Sequence, residues 1–167
     1  MIEVEVVGVR IELPSNQPLV LLKELTGERH IPIWIGAPEA SAIAFVQQGI
    51  VPPRPMTHDL LVSVVAAVGR AITEVRIVAV QDTVFHAELV FDDGTRVSSR
   101  ASDALAVALR VPCSIYCAEQ VLDAAGVEIA DPDAEDEETG DQQETAEKEL
   151  KQFREFLADV EPEDFEP

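Results

Sequence analysis

Residues 2–13 read IEVEVVGVRIEL, and this stretch predicts the first element of the fold. Apolar side chains alternate with glutamates as far as Val6, and after Gly8 the alternation resumes one residue out of phase. A period of two is typical of a strand with one buried face, and a one-residue slip at a glycine is typical of a β-bulge. We therefore expect one long strand with a bulge at Gly8.

The rest of the chain predicts an α+β fold with a mainly antiparallel sheet and several short helices. Short turns join the first three apolar runs, and connections of this length join antiparallel neighbours. Asp92-Asp93-Gly94 is a hairpin turn signal between two later runs. The further predicted strands cover 19–25, 30–35, 73–80, 84–91, 95–100 and 112–116, and the predicted helices cover 38–48, 57–68, 103–110 and 118–125.

Three predicted helix starts carry the polar side chains of greatest interest. Residues 53–61 read PRPMTHDLL, a proline-rich loop that enters an apolar helix with Thr57 as the predicted N-cap. Two other helices have similar starts, one before this loop at Pro38-Glu39 and one after it at Ser102-Asp103, where Ser102 is the predicted cap. Polar groups at helix N-termini favour anion binding or catalysis, so we expect the functional site at these helix starts.

The loop before the second helix supplies three candidate catalytic residues. His58 would act as general acid or base, Asp59 as metal ligand or orienting carboxylate, and Arg54 as phosphate clamp. The alternative is structural: a capped helix with Arg54 paired to a nearby carboxylate.

Carboxylates at the three helix starts predict a metal site if they converge. Glu39, Asp59 and Asp103 together would suit a hard cation, Mg²⁺ or Mn²⁺. Singly, Glu39 is explained as a helix-dipole carboxylate and Ser102-Asp103 as a cap. Thr57 and Ser102 are further candidate polar positions, Trp34 is assigned to the core or an interface, and no organic cofactor is predicted.

The net charge of −20 is spread unevenly. Residues 1–130 hold 16 acidic and 9 basic side chains, a net charge of −7, whereas residues 131–167 hold 16 and 3, a net charge of −13. The first part has no basic stripe of the kind that drives tight, non-specific binding to nucleic acid. The sequence also shows no secretory signal and no apolar stretch long enough to cross a bilayer, so we expect a cytoplasmic protein without membrane contact.

The last part of the chain predicts a linker and one further helix. Residues 129–145 read as an acidic, disordered linker, and residues 161–167 as an acidic tail. Residues 146–160 regain helical period, with Leu150, Phe153, Leu157 and Val160 on one stripe. That apolar stripe needs a partner surface on its own domain, on another subunit or on a second protein.

Four segments together resemble the bifunctional nuclease domain family of bacteria and plants. They are Ile31–Gly36 (IPIWIG), Glu39-Ala40, the loop at 53–61 and residues 102–110 (SDALAVALR). The resemblance runs to about residue 126 and assigns residues 1–128 to one such domain. It implies an α+β domain that self-associates, and plant members give the family its name through reported DNase and RNase activity.

Three positions depart from the family pattern. His86 stands where the family has a tyrosine, and Ala101 stands where it has a proline. Residues 97–99 (VSS) are less acidic than the corresponding family stretch. The first change removes any role for that phenol, and the last weakens a carboxylate-rich metal site.

Three functional hypotheses follow. The first is a divalent-cation-assisted nuclease that hydrolyses phosphodiester bonds in DNA or RNA. The alternative is a non-enzymatic oligomeric module whose acidic tail helix binds a protein partner or covers the site. A third is a sensor that binds a small anion or nucleotide at the helix N-termini.

Overall fold

A computed structural model of the protein describes residues 1–128. The predicted linker at 129–145, the predicted helix at 146–160 and the predicted tail at 161–167 lie outside the described residues.

Within residues 1–128, one eight-stranded sheet and four helices make up an α+β fold, as predicted. The strand order is β6-β5-β4-β7-β1-β2-β3-β8, and every neighbouring pair is antiparallel except β4 and β7. The strands are β1 (Ile2–Glu12), β2 (Gln17–Glu24), β3 (Arg29–Trp34), β4 (Ile72–Gln81), β5 (Val84–Phe91), β6 (Arg96–Arg100), β7 (Ser114–Cys117) and β8 (Val127–Glu128). The helices are α1 (Ala37–Gln47), α2 (Thr57–Ala67), α3 (Ala101–Ala108) and α4 (Glu119–Ala125).

The long first strand contains the predicted bulge. Val6 lies opposite Leu22 and Gly8 lies opposite Leu21, so Val7 is the extra residue on β1. β1, β2 and β3 form the predicted antiparallel meander. The slip at Gly8 was therefore interpreted correctly.

The parallel pairing of β4 with β7 was not predicted. The chain leaves β4, forms the β5–β6 hairpin and α3, and returns in β7 beside β4. In α3 every residue except Asp103 is buried. Its alanines carry almost no side chain, which allows the close approach that this complete burial requires.

The first turns of α2 and α3 differ from the prediction. Thr57 and Ser102 were expected to cap these helices, but each lies within its helix. The N-cap residue is Met56 for α2 and Arg100 for α3, and both have an extended backbone. The cap at α2 comes from Asp59, whose carboxylate accepts the Met56 backbone N–H at 2.8 Å. A carboxylate in the first turn thus replaces the expected hydroxyl cap.

The second helix is largely exposed. Its apolar residues on nearly all faces predict cover from the sheet together with a second subunit, and within residues 1–128 no residue of α2 is buried. Cover by a second subunit stays a prediction. Val62 and Val65 pack against the core, while Leu60, Leu61 and Val64 face solvent. None of the helices in this part of the chain has the length and apolar character of a membrane span.

We predict that Leu105→Ala destabilises the protein by about 2–5 kcal/mol, because Leu105 is fully buried in α3 and its loss leaves a cavity. The free energy of unfolding from urea denaturation measures this cost. Leu13→Ala is the matched control, since Leu13 lies exposed in the turn after β1. Equal destabilisation by the two variants would contradict the packing of α3.

Candidate functional site

Four side chains join the N-termini of three helices in one series of polar contacts, which we call the Arg100 cluster. It consists of Glu39 in α1, His58 in α2, Asp103 in α3 and Arg100 at the end of β6. Arg100 Nη2 donates to Glu39 Oε1 at 2.7 Å, Arg100 Nε donates to Asp103 Oδ2 at 2.7 Å, and His58 Nε2 lies 3.1 Å from Asp103 Oδ1. The structure thus brings together residues 61 and 45 positions apart in sequence.

Arg100 holds its place because β6 runs directly into α3. It is the residue before the helix, and its guanidinium folds back onto Asp103 three positions later, with a second bond from Nη2 to Oδ1 at 3.0 Å. Its hydrogen bonds to Asp103 and Glu39 raise the pKa of Arg100, so it stays charged. The Arg100 hydrogen bond in turn lowers the pKa of Asp103; burial opposes this effect and the His58 hydrogen bond adds to it.

Arg100 keeps donors free for a ligand. Its bonds to Glu39 and Asp103 use Nε and Nη2, while Nη1 forms no hydrogen bond or ion pair to any described residue. The side chain is 66% exposed. The guanidinium is therefore held in position by two carboxylates and still presents N–H groups outward.

His58 is placed for proton transfer. Its side chain is only 12% exposed, and Asp103 accepts at one ring nitrogen. Because the lowered pKa of Asp103 keeps that carboxylate ionised, the proton of a neutral imidazole resides on Nε2 and leaves a lone pair on Nδ1. A histidine oriented in this way by a carboxylate is suited to general acid–base catalysis.

Glu39 reaches Arg100 across the start of α1, and Gly36 makes room for it. A Cβ atom built at position 36 would collide with the Glu39 carboxylate. The carboxylate thus lies over the first turn of α1, where the helix dipole favours negative charge.

Asp59 belongs to a different set of contacts. Its Oδ1 accepts from Arg110 Nε at 2.6 Å, and its Oδ2 accepts the N–H of Met56. Arg110 also donates to the backbone oxygens of Ala106 in α3 and Ala42 in α1, at 2.7 Å and 3.0 Å. This buried guanidinium therefore ties α1, α2 and α3 together, and the hydrogen bond from Arg110 is the main cause that lowers the pKa of Asp59.

The three predicted metal ligands are not arranged as a common ligand set. Glu39 and Asp103 share Arg100, a cation, whereas Asp59 pairs with Arg110. Among the residues that the structure describes, no group of three His, Cys, Asp or Glu side chains could hold a metal ion. In this arrangement the donor set does not fit Mg²⁺ or Mn²⁺, which need several free oxygen ligands.

The remaining predicted site residues are dispersed. Arg54 and Thr57 are exposed, and neither side chain forms a hydrogen bond or ion pair within residues 1–128. Ser102 is 9% exposed, and its hydroxyl likewise has no partner there. Of these three residues, Ser102 alone lines the cleft beside the Arg100 cluster.

That cleft, which we call the Trp34 cleft, has a volume of about 510 Å³. Its walls include Trp34, Gly36, Phe85, Arg100 and Ser102. Trp34 does not lie in the core, since it is half exposed, and the interface alternative stays a prediction. Its indole N–H donates to Glu12 Oε2 at 2.8 Å. The cleft therefore combines an aromatic wall with the N-termini of α1 and α3.

Sequence reasoning missed the two arginines that organise this region. The sequence pattern assigned no role to Arg100 or Arg110 and favoured Arg54, which lies in the same loop as His58. The spacing of Arg100 and Asp103 across a helix start is a signal for the first pair, because residues three apart are neighbours on a helix. Arg110 has no local signal, since its partner Asp59 is 51 residues away.

Comparison with known proteins extends the resemblance seen in the sequence. A model described as the bifunctional nuclease domain matches residues 20–130. Two relatives from Mycobacterium tuberculosis are each 52% identical over 163 residues: uncharacterized protein MT1877 of strain CDC 1551 / Oshkosh and uncharacterized protein Rv1829 of strain H37Rv. These similarities cover 98% of this chain and 97% of each relative.

We predict that Asp59→Asn destabilises the protein by roughly 3 kcal/mol at pH 7, because it leaves the buried Arg110 charge without its partner. The pKa of Asp59 is lowered in the folded state, so its stabilisation is complete above the unfolded value of about 4 and is lost as the pH falls through the folded value. The difference in unfolding free energy between parent and variant should therefore shrink on acidification.

Urea denaturation of both proteins at a series of pH values measures this difference. Glu28→Gln is the control, since this carboxylate is exposed and should change stability by less than about 0.5 kcal/mol at every pH. A constant penalty for Asp59→Asn down to the lowest pH would argue against the Asp59–Arg110 ion pair.

Proposed function

The chain belongs to the bifunctional nuclease domain family, and we propose that it hydrolyses phosphodiester bonds in DNA or RNA at the Arg100 cluster. One observation carries the proposal: a histidine oriented by a carboxylate lies in the same series of contacts as an exposed arginine. General acid–base catalysis and stabilisation of phosphate charge are the two contributions that phosphodiester hydrolysis requires from protein side chains.

His58 would be the general base. Its Nδ1 would take a proton from a water molecule as the water oxygen bonds to phosphorus. The bond from phosphorus to the leaving oxygen then breaks, and the imidazolium returns the proton to that oxygen. Asp103 would hold the ring and stabilise the imidazolium through its contact at Nε2.

Arg100 would stabilise the phosphate. Negative charge builds up on the phosphate oxygens during the reaction, and the free N–H groups at Nη1 are the donors that would meet it. Glu39 and Asp103 would act on Arg100 as positioning residues, because they fix the guanidinium on one side and leave the other open.

The requirement for Mg²⁺ or Mn²⁺ remains a prediction. Because Arg100 occupies the place between Glu39 and Asp103, no step of the proposed reaction passes through a metal ion. The negative charge of the domain favours weak and brief binding of nucleic acid, which suits an enzyme that releases its product better than a protein that binds nucleic acid tightly.

We predict that His58→Ala lowers kcat on labelled single-stranded DNA and RNA by about 10²–10⁴, the usual contribution of a general acid–base group. Asp103→Asn should also lower kcat, because it removes the charge that orients His58 and one of the two carboxylates that position Arg100. Release of labelled fragments, measured with Mg²⁺, with Mn²⁺ and with EDTA, gives these constants.

His30→Ala is the matched control. This histidine lies on β3, and within residues 1–128 its side chain forms one hydrogen bond, to the backbone oxygen of Glu28, so its loss should leave cleavage unchanged. Unaltered cleavage by His58→Ala would remove the proposed role of His58, and complete inactivity of the parent under all three conditions would remove the nuclease function.

We also propose that the protein forms a homo-oligomer through the exposed face of α2. The supporting observation is that Leu60, Leu61 and Val64 of α2 and its C-cap residue Val68 are exposed together. The other three helices each have buried residues, whereas α2 has none. A contiguous apolar surface of this kind is typical of an interface. The alternative partner predicted for residues 146–160 concerns residues outside the described part of the chain and remains a prediction.

We predict that Val64→Glu shifts the protein to a smaller assembly, because a charge in the middle of the α2 face cannot be buried without a partner. Size-exclusion chromatography with light scattering gives the mass of each species. Leu13→Glu adds the same charge at an exposed apolar position away from α2 and should leave the mass unchanged. Equal masses for all three proteins would contradict an interface on α2.

A further inference from the structure

We infer that the Trp34 cleft binds one nucleotide unit of single-stranded nucleic acid, with its base against Trp34 and its phosphate at the starts of α1 and α3. This inference rests on the proposed nuclease function and names the form of its substrate. A mononucleotide and a single strand of nucleic acid both offer this chemistry, an aromatic base joined to a phosphate group.

The phosphate end of the cleft lies at two helix starts, whose first turns also hold the Glu39 and Asp103 carboxylates. Gly36 and Ala37 lie at the N-terminus of α1, and Arg100, Ala101 and Ser102 lie at the N-terminus of α3. The first N–H groups of a helix have no partner inside the helix, and the positive end of the dipole favours an anion. The N-termini of two helices open onto this cleft: α1 has eleven residues and α3 has eight.

Ser102 gives independent evidence for a ligand. The residue is nine-tenths buried, and its hydroxyl has no hydrogen-bond partner in residues 1–128. Its oxygen is not sealed inside the protein, in contrast to that of Ser99, and the cleft is the space that Ser102 lines. A buried hydroxyl usually finds a partner, so this one is available to a phosphate oxygen in the cleft.

The opposite end of the cleft suits a base. Trp34 is half exposed, and the bond from its indole N–H to Glu12 fixes the orientation of the ring. Ile33, Val84 and Phe85 add apolar surface. Every base has a flat aromatic face, and stacking on a tryptophan is the usual way in which proteins hold unpaired bases.

Size and lining agree with a single nucleotide. A cleft of about 510 Å³ falls within the roughly 300–1,000 Å³ typical of small-molecule sites. Among the described residues Arg100 is the only charged one that lines the cleft. Because Glu39 and Asp103 neutralise its guanidinium, its outward N–H groups, and not a net positive charge, would meet the phosphate. A base in a duplex is already stacked and paired, which favours a single strand over a double strand.

The experiment uses the full chain, in which Trp34 is the only tryptophan and its fluorescence reports on the cleft directly. We expect a short single-stranded oligonucleotide and adenosine monophosphate to quench this fluorescence to saturation. Inorganic phosphate and adenosine should each bind more weakly, and a duplex of the same sequence should not quench. Absence of quenching by every ligand would overturn the inference, and quenching by the mononucleotide alone would overturn the assignment to nucleic acid.

Substitutions test the two ends separately, with binding of a labelled oligonucleotide measured by fluorescence anisotropy. Trp34→Leu should weaken binding about tenfold, whereas Trp34→Phe keeps a stacking face and should stay within about threefold of the parent. Ser102→Ala should weaken binding of inorganic phosphate and oligonucleotide alike. Ser99→Ala is its matched control, because the Ser99 hydroxyl also has no hydrogen-bond partner within residues 1–128 and Ser99 does not line the cleft. Unchanged affinity in Trp34→Leu would overturn the inference.

The same proteins separate this inference from the nuclease proposal. Saturable quenching of the parent without cleavage would support the cleft and remove the nuclease function. Cleavage by the parent at an unchanged rate in Trp34→Leu and Ser102→Ala would support the nuclease function and overturn the cleft.

Discussion

The burial of α3 is the constraint on which the rest of the structure depends. Seven of its eight residues are buried, and they are small enough to let β4, β5, α1 and α2 approach closely. Asp103 is the exception, and it lies in the first turn, where β6 passes directly into the helix. Because the helix cannot move without disturbing the core, Asp103 and Arg100 are presented from a rigid base.

Two arginines neutralise the carboxylates around α3, and they differ in exposure. Arg110 is almost fully buried and uses its donors within the protein, on Asp59 and on backbone oxygens of two helices. Arg100 is mostly exposed and uses one side of its guanidinium on Glu39 and Asp103. A buried charge must be paired to be tolerated, whereas an exposed one can keep donors for a ligand. The first contact is therefore structural, and the second leaves a functional group at the surface.

Much of the fold could be predicted because strands with one buried face show a period of two. The local alternation of apolar and polar side chains predicts both the bulge at Gly8 and the β1–β3 meander. The β4–β7 pairing could not be predicted, because it joins segments about forty residues apart with no turn to mark it. The two-residue strand β8 is too short to show any period. The start of α3 was placed at Asp103 because Ser102 has the side chain of an N-cap, whereas the residue that precedes the helix is Arg100.

The sequence located some of the residues that meet in the fold but not their partners. Glu39, His58 and Asp103, at three predicted helix starts, lie in one series of contacts, and their functional role stays a prediction. Asp59 was grouped with them because it follows His58 in sequence, yet adjacent residues on a helix point in different directions. His58 therefore faces Asp103, while Asp59 faces Arg110.

The charge of the Arg100 cluster bears on what such a site can recognise. Two carboxylates and one guanidinium leave the cluster with a net charge of −1 when His58 is neutral, so Coulomb attraction alone cannot hold an anion there. Directed donors can do so: the free N–H groups of Arg100, the helix N-termini and a hydroxyl bind phosphate by geometry as much as by charge. An aromatic wall adds affinity that does not depend on charge at all. An acidic domain can therefore recognise a nucleotide at one point without attracting nucleic acid over its whole surface.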